Sequence, residues 1–139
     1  MAEPISLASG LLALATFAFK SSITLYETIR SFRNYPTDVH DLSGELEDLS
    51  RVLNSLSETV TASTDVDFSA LHLPLLRCGN ACKEFEQKLL KCVSPSGGDR
   101  VSFRGWARLK YMGEGIDNFR RMLAGYKSTI VIALNDASL

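Results

Sequence analysis

From Pro4 to Phe19 the chain carries no charged side chain; Glu3 precedes the run and Lys20 ends it. A stretch so apolar needs cover from water, yet it falls short of the ~20 apolar residues with which a helix crosses a bilayer. It fits a helix buried in a bundle, or one that leaves a bundle to enter a membrane surface. A secretory signal opens with positive charge and closes on a small-residue cleavage site, whereas this chain opens Met1-Ala2-Glu3 with no base before the run.

Pro4 is tolerated in a first helical turn, and apolar or small residues then recur at Leu7, Leu11, Leu14, Ala18, Leu25, Ile29 and Phe32. That spacing predicts a helix from Ile5 to about Phe32. Leu12, Ala13, Phe17 and Phe19 add apolar groups off the stripe, so the first half is hydrophobic nearly all round and must be covered by helices, by another chain or by lipid. Its small residues, Ala8, Ser9, Gly10, Ala13, Ala15, Thr16 and Ala18, allow another helix to approach closely, whether inside the chain's own bundle or in a membrane.

Asn34-Tyr35-Pro36-Thr37 ends this helix, because proline removes a donor and drives Tyr35 from helical angles. Thr37 or Asp38 then caps a second helix, in which Leu42, Leu46, Leu49, Leu53, Leu56 and Val60 alternate steps of four and three. Residues 61–69 are polar and small apart from Val66 and Phe68, and read as a loop. A third helix is expected from about Ala70 to Val93, with a seam of Leu71, Leu75, Cys78, Cys82, Phe85, Leu89 and Cys92; Pro74 moves its start toward Leu73. After the break Ser94-Pro95-Ser96-Gly97-Gly98-Asp99, a fourth runs from Ser102 or Phe103 past Trp106, Leu109, Met112, Ile116, Phe119, Leu123, Tyr126, Ile130 and Ala133 to near Asn135, with Gly113 or Gly115 as a point of bending. Four long amphipathic segments without β-type alternation predict an all-α, up-and-down bundle of four long helices, the first and fourth open to bending.

At 139 residues, formal charge −1 and 45% hydrophobic content, one domain spanning residues 1–139 is expected. The charge is uneven: residues 36–70 hold eight acids and one base, residues 71–139 eleven bases and six acids. The resulting +5 is spread over two helices with no aromatic platform, which argues against nucleic acid and is compatible with anionic lipid or an acidic partner. Three cysteines, Cys78, Cys82 and Cys92, make a poor disulfide framework and point to a reducing cytosol. With only His40 and His72 beside them and no C-x-x-C, they read as small core residues rather than as metal ligands. The acidic cluster Asp38, Asp41, Glu45, Glu47 and Asp48 lies off the leucine seam and reads as a solvated face. Gly97-Gly98 and Gly113-x-Gly115 lack the lysine and the preceding strand of a phosphate loop. Neither an enzyme nor a cofactor is expected.

Three stretches taken together, MAEPISLASGLLALATFAFKSSITLYETI, NYPTDVHDLSGELEDLSRVLNSL and RGWARLKYMGEGIDNFRRMLAGYKSTIVIALN, resemble the HeLo-like N-terminal domain of fungal STAND and NACHT-type NTPases and ankyrin proteins, a group also named after the N-terminal domain of an azaphilone pigment cluster protein. The resemblance covers essentially the whole chain. It implies a cytoplasmic helical bundle that forms the N-terminal effector or signalling module of a larger NLR-like receptor, with no catalytic residues. By similarity to the HeLo and mixed-lineage-kinase-like bundles, such a module self-associates and releases its first helix into the plasma membrane to execute regulated cell death. The positions that match the membrane-acting segment are Leu7, Gly10, Leu11, Leu12, Leu14, Phe17 and Phe19. Lys83, Lys88, Arg104, Arg108, Lys110, Arg120 and Arg121 are candidate contacts to anionic lipid, and the partners implied are a second copy, anionic lipid and the downstream receptor domains. The alternative is an adaptor or oligomerisation module that acts by protein contacts and never enters lipid.

Overall fold

A computed structural model describes residues 4–31, 37–62, 66–91 and 115–137. Their elements are helix α1 (Pro4–Ser31), helix α2 (Thr37–Ala62), a single 3-10 turn (Ser69–Leu71), helix α3 (His72–Leu90) and helix α4 (Gly115–Ala137), with no strand among the described residues. The helices pack as the expected up-and-down bundle. α1 lies against both α2 and α3, while α4 lies against α2 and, over a shorter contact, against α3.

The seam of α2 shows why the bundle holds. Leu42, Leu46, Leu49, Leu53, Leu56 and Val60 are all buried, because steps of four and three keep one helix face turned to the core. The seam of α3 behaves likewise, with Leu75, Cys78, Cys82, Phe85 and Leu89 buried, and that of α4 buries Ile116, Phe119, Leu123 and Ile130. Where α3 meets α4, the rings of Phe85 and Phe119 stack with centroids 4.4 Å apart and planes 3° from parallel, an arrangement worth about 0.5–1.5 kcal/mol beyond the area it buries.

The acidic face of α2 is solvated only in part. Asp41 and Asp48 are exposed, but Glu45 is half-buried and receives Lys127 of α4, whose Nζ lies 3.3 Å from Oε1. Lys127 also stands 3.9 Å from Asp48 Oδ2. The acids of the second segment and a base of the last helix thus help fix the register of α2 against α4.

The loop before α3 departs from its polar appearance. Phe68 is buried and Val66 packs against the core, so these two residues plug the end of the bundle. Asp67 supports the turn between them: its Oδ1 accepts the Ser69 backbone N–H at 2.9 Å, and Leu71 N–H donates to Phe68 O at 2.9 Å. The hydrogen bonds from Ser69 hold the Asp67 carboxyl below its ordinary pKa. Pro74 falls inside the first turn of α3, as its missing donor requires. The helix starts two residues later than Ala70 because the 3-10 turn takes those positions. Cys92, the Pro95–Gly98 break, and Trp106, Leu109 and Met112 of the expected fourth segment lie outside the described residues.

Truncation of Leu49 to Ala should destabilise the domain by about 2–5 kcal/mol, the usual consequence of deleting a fully enclosed leucine. Ser55→Ala, on the exposed face of the same helix, should stay within about 0.5 kcal/mol of wild type. Urea unfolding followed by circular dichroism separates the two.

Candidate functional site: the seat of the first helix

α1 is the most apolar of the four described helices and the least one-sided, so its neighbours decide what it hides. Its fully covered line is Leu11, Ala15, Ala18, Ser22, Leu25 and Ile29. The sequence stripe ran through Leu14; in the structure the covered line runs through Ala15 instead and leaves Leu14 half-buried at the flank with Leu12 and Phe19. The fully covered positions between Leu11 and Leu25 hold only small side chains, and the larger ones of this stretch lie to either side. Ser22 is one of the small ones, its Oγ turned back to donate to Phe19 O at 2.8 Å.

One flank is organised by a glycine. Gly79 sits in the interior of α3, where the residue weakens a helix. A β-carbon built there would overlap the ring of Phe17, so the missing side chain is the hollow into which Phe17 of α1 fits. One turn further along α3, Lys83 Nζ lies 5.6 Å from the centroid of the same ring, within the range of a cation–π contact. Thr28 Oγ1 ties α1 to α3 further along by donating to Glu86 Oε2 at 2.9 Å. Gly10 behaves differently: among the described residues a methyl there would meet only His72 Cε1, at an ordinary 3.8 Å.

The proposed membrane-acting positions whose side chains are described are therefore part of the packed bundle. Leu11 is 4% exposed, Leu12, Leu14, Phe17 and Phe19 are half-buried, Gly10 faces His72, and Leu7 lies within α1 although its side chain is outside the described residues. Among the basic candidates, Lys83 stands against Phe17, and Lys88 and Arg121 are exposed. Arg120 is half-buried, with one guanidinium nitrogen 3.8 Å from Asp117 Oδ1. Arg104, Arg108 and Lys110 fall outside the described residues. Lys20, which sequence reading used only to mark the end of the uncharged run, lines a groove with Lys83 beside Phe17. Gly79 was also missed, although a glycine inside an amphipathic helix is itself a signal of close approach.

Cys78 and Cys82 are buried free thiols one turn apart. The hydrogen bond with Cys78, and then burial, push the Cys82 thiol far above its ordinary pKa, so it is neutral and unreactive in the packed state. Among the described residues no group of three or more His, Cys, Asp or Glu side chains is arranged to hold a metal ion. No helix among them is long and apolar enough to cross a membrane.

Among the described residues, fold and site together define an all-α bundle of four helices whose apolar first helix is seated between the second and third by a ring-into-glycine contact and small covered side chains. The chain belongs to the family described as Pigment biosynthesis cluster protein PigL N-terminal, which matches residues 2–139 and is of the HeLo-like type. No curated protein and no solved structure matches it.

The two glycines should respond with opposite sign. Gly79→Ala should destabilise the bundle by about 1–3 kcal/mol through overpacking against Phe17, and Phe17→Leu should relieve part of that loss in a double-mutant cycle. Gly10→Ala, with room for its methyl, should be neutral or stabilising by up to about 1 kcal/mol. Chemical denaturation of the four variants gives these differences directly.

Proposed function

We propose that this domain is the N-terminal effector module of an NLR-like protein, cytoplasmic at rest, which on activation self-associates and delivers the apolar half of α1 to the plasma membrane to drive regulated cell death. The observation that carries the reading is the small seat of that half. Of the described side chains between Gly10 and Phe19, only Leu11, Ala15 and Ala18 are fully covered, whereas α2 contributes six large buried side chains to the core. At roughly 1.5–3 kcal/mol for each large side chain exposed, lifting the start of α1 is within reach of a partner or a membrane, while lifting α2 would dissolve the fold. α1 runs unbroken to Ser31, so release needs a yield point. The bond from Ser22 to the carbonyl of Phe19 lies where the uncharged run ends, and a serine turned back onto its own helix loosens it slightly.

Too short to span a bilayer alone, the freed segment would lie in the headgroup region or enter it with other copies. Leu11, Leu12, Leu14, Phe17 and Phe19, with Leu7 and Gly10, supply its apolar surface. Lys83, Lys88, Arg120 and Arg121, with Arg104, Arg108 and Lys110, supply attraction to anionic lipid. The vacated groove then becomes a surface for a second copy.

A second reading is favoured by the exposure of Leu73, Leu76, Met122 and Ile132 on α3 and α4: an adaptor in which α1 never leaves and these side chains meet a protein partner. Leakage of phosphatidylserine vesicles distinguishes the two. Under the release mechanism Gly79→Val, which unseats Phe17, increases leakage, and Leu14→Glu, at a half-buried flank, decreases it by tenfold or so in a protein that still folds. Leakage absent from wild type and both variants rules out the membrane function and leaves the adaptor.

A further inference from the structure

The flank that seats Phe17 also contains a groove of about 240 Å³ between α1 and α3, lined by Phe17, Lys20, Ser21, Thr24, Lys83 and Glu86. Its polar groups come from both helices. Lys20, Ser21 and Thr24 belong to α1, while Lys83 and Glu86 belong to α3. Glu86 already accepts the hydroxyl of Thr28. Among the described residues neither Lys20 nor Lys83 has a carboxylate within ion-pair distance; Lys83 has only the ring of Phe17 beneath it. Two ammonium groups thus share one small groove across the interface that must open if α1 is to leave, with two hydroxyl donors beside them. With the Glu86 carboxylate the groove carries a net charge of +1, and an anion set between the two ammonium groups adds an attraction across the interface.

We propose that this groove binds a phosphate monoester, which bridges Lys20 of α1 and Lys83 of α3 and clamps the first helix in its seat. The size of the groove suits one phosphate with a small substituent, the hydroxyls of Ser21 and Thr24 complete the donor set, and the Phe17 ring forms an apolar wall. The site exists only while α1 is docked, because its two lysines come from the two elements that part. A ligand that binds the closed state alone stabilises that state in proportion to its occupancy, so a soluble phosphate monoester opposes release. Binding is independent of the membrane reading; only the opposition to release rests on it.

Glycerol phosphate titrated into the whole chain at constant ionic strength is the direct test. The thermal midpoint of the wild-type protein should rise with ligand concentration. Lys20→Gln and Lys83→Gln should each weaken binding about tenfold, the loss of one charge-assisted bond, and the double variant should not respond. Both lysines are exposed, so these changes leave the core intact, as circular dichroism would verify. Phosphorus NMR line broadening of glycerol phosphate by the wild-type protein provides a readout that requires no variant. An equal rise with sodium chloride, or an unaltered response in the double variant, overturns the proposal. A parallel arm uses phosphatidic acid vesicles: lysine-dependent co-flotation without any soluble effect overturns the clamp and assigns the lysines to a lipid headgroup instead. Because the thermal shift is measured without membranes, its failure is distinguishable from a failure of vesicle leakage.

Discussion

An uncharged helix face has to be covered, and in this domain the cover is supplied at very close range. Ala15, Ala18 and Ser22 bring the backbone of α1 near to α2 and α3, and the large side chains of the same helix are displaced to the flanks. The other elements follow from that contact. α2 and α3 present long buried seams that form the groove, α4 closes the far side through Lys127–Glu45 and the Phe85–Phe119 stack, and Val66 and Phe68 cap one end. A helix held by small residues gains van der Waals contact along its length but little apolar area per residue. It is therefore well placed without being heavily anchored.

How much of this was legible in the sequence depends on whether the determining interaction is local. The seams of α2, α3 and α4 are periodicities within one helix, and the leucines of α2 occupy the core positions their spacing assigns. The apolar stripe of α1 was legible as a helix but not as a face: with apolar groups nearly all round, the pattern could not choose between Leu14 and Ala15, and the approach of α2 and α3 made the choice. Gly79 needed the Phe17 ring, sixty-two positions earlier in the chain, to acquire a meaning. Glu45 looked like one more solvated acid until Lys127 was placed beside it. The pairing of Lys20 with Lys83 across one groove is likewise a property of two helices and of neither alone.

Family membership and the geometry bear on function at different levels. The family places the chain among PigL N-terminal, HeLo-like domains. The geometry adds how each part of the first helix is covered. Between Gly10 and Phe19 the seat consists of one leucine, two alanines and a phenylalanine set against a glycine, whereas the continuation of α1 through Leu25 and Ile29 is buried as deeply as the core of α2. Under the proposed mechanism the two halves of one continuous helix have different tasks, the second anchoring what the first detaches from. Lys20 and Lys83 line one groove beside Phe17 at the boundary between them.

The central claim, that the first helix is seated at rest and leaves its seat at a membrane, is tested most directly by the two thiols buried in α3. In a Cys92→Ser protein, Cys78 and Cys82 are covered in the packed bundle, and a water-soluble thiol reagent should modify neither over the time in which an exposed cysteine reacts fully. Adding phosphatidylserine vesicles should make them reactive in step with leakage, since removal of α1 opens the interface that α3 shares with it. Thiols that react fully without vesicles, or that stay protected while vesicles leak, would contradict the account.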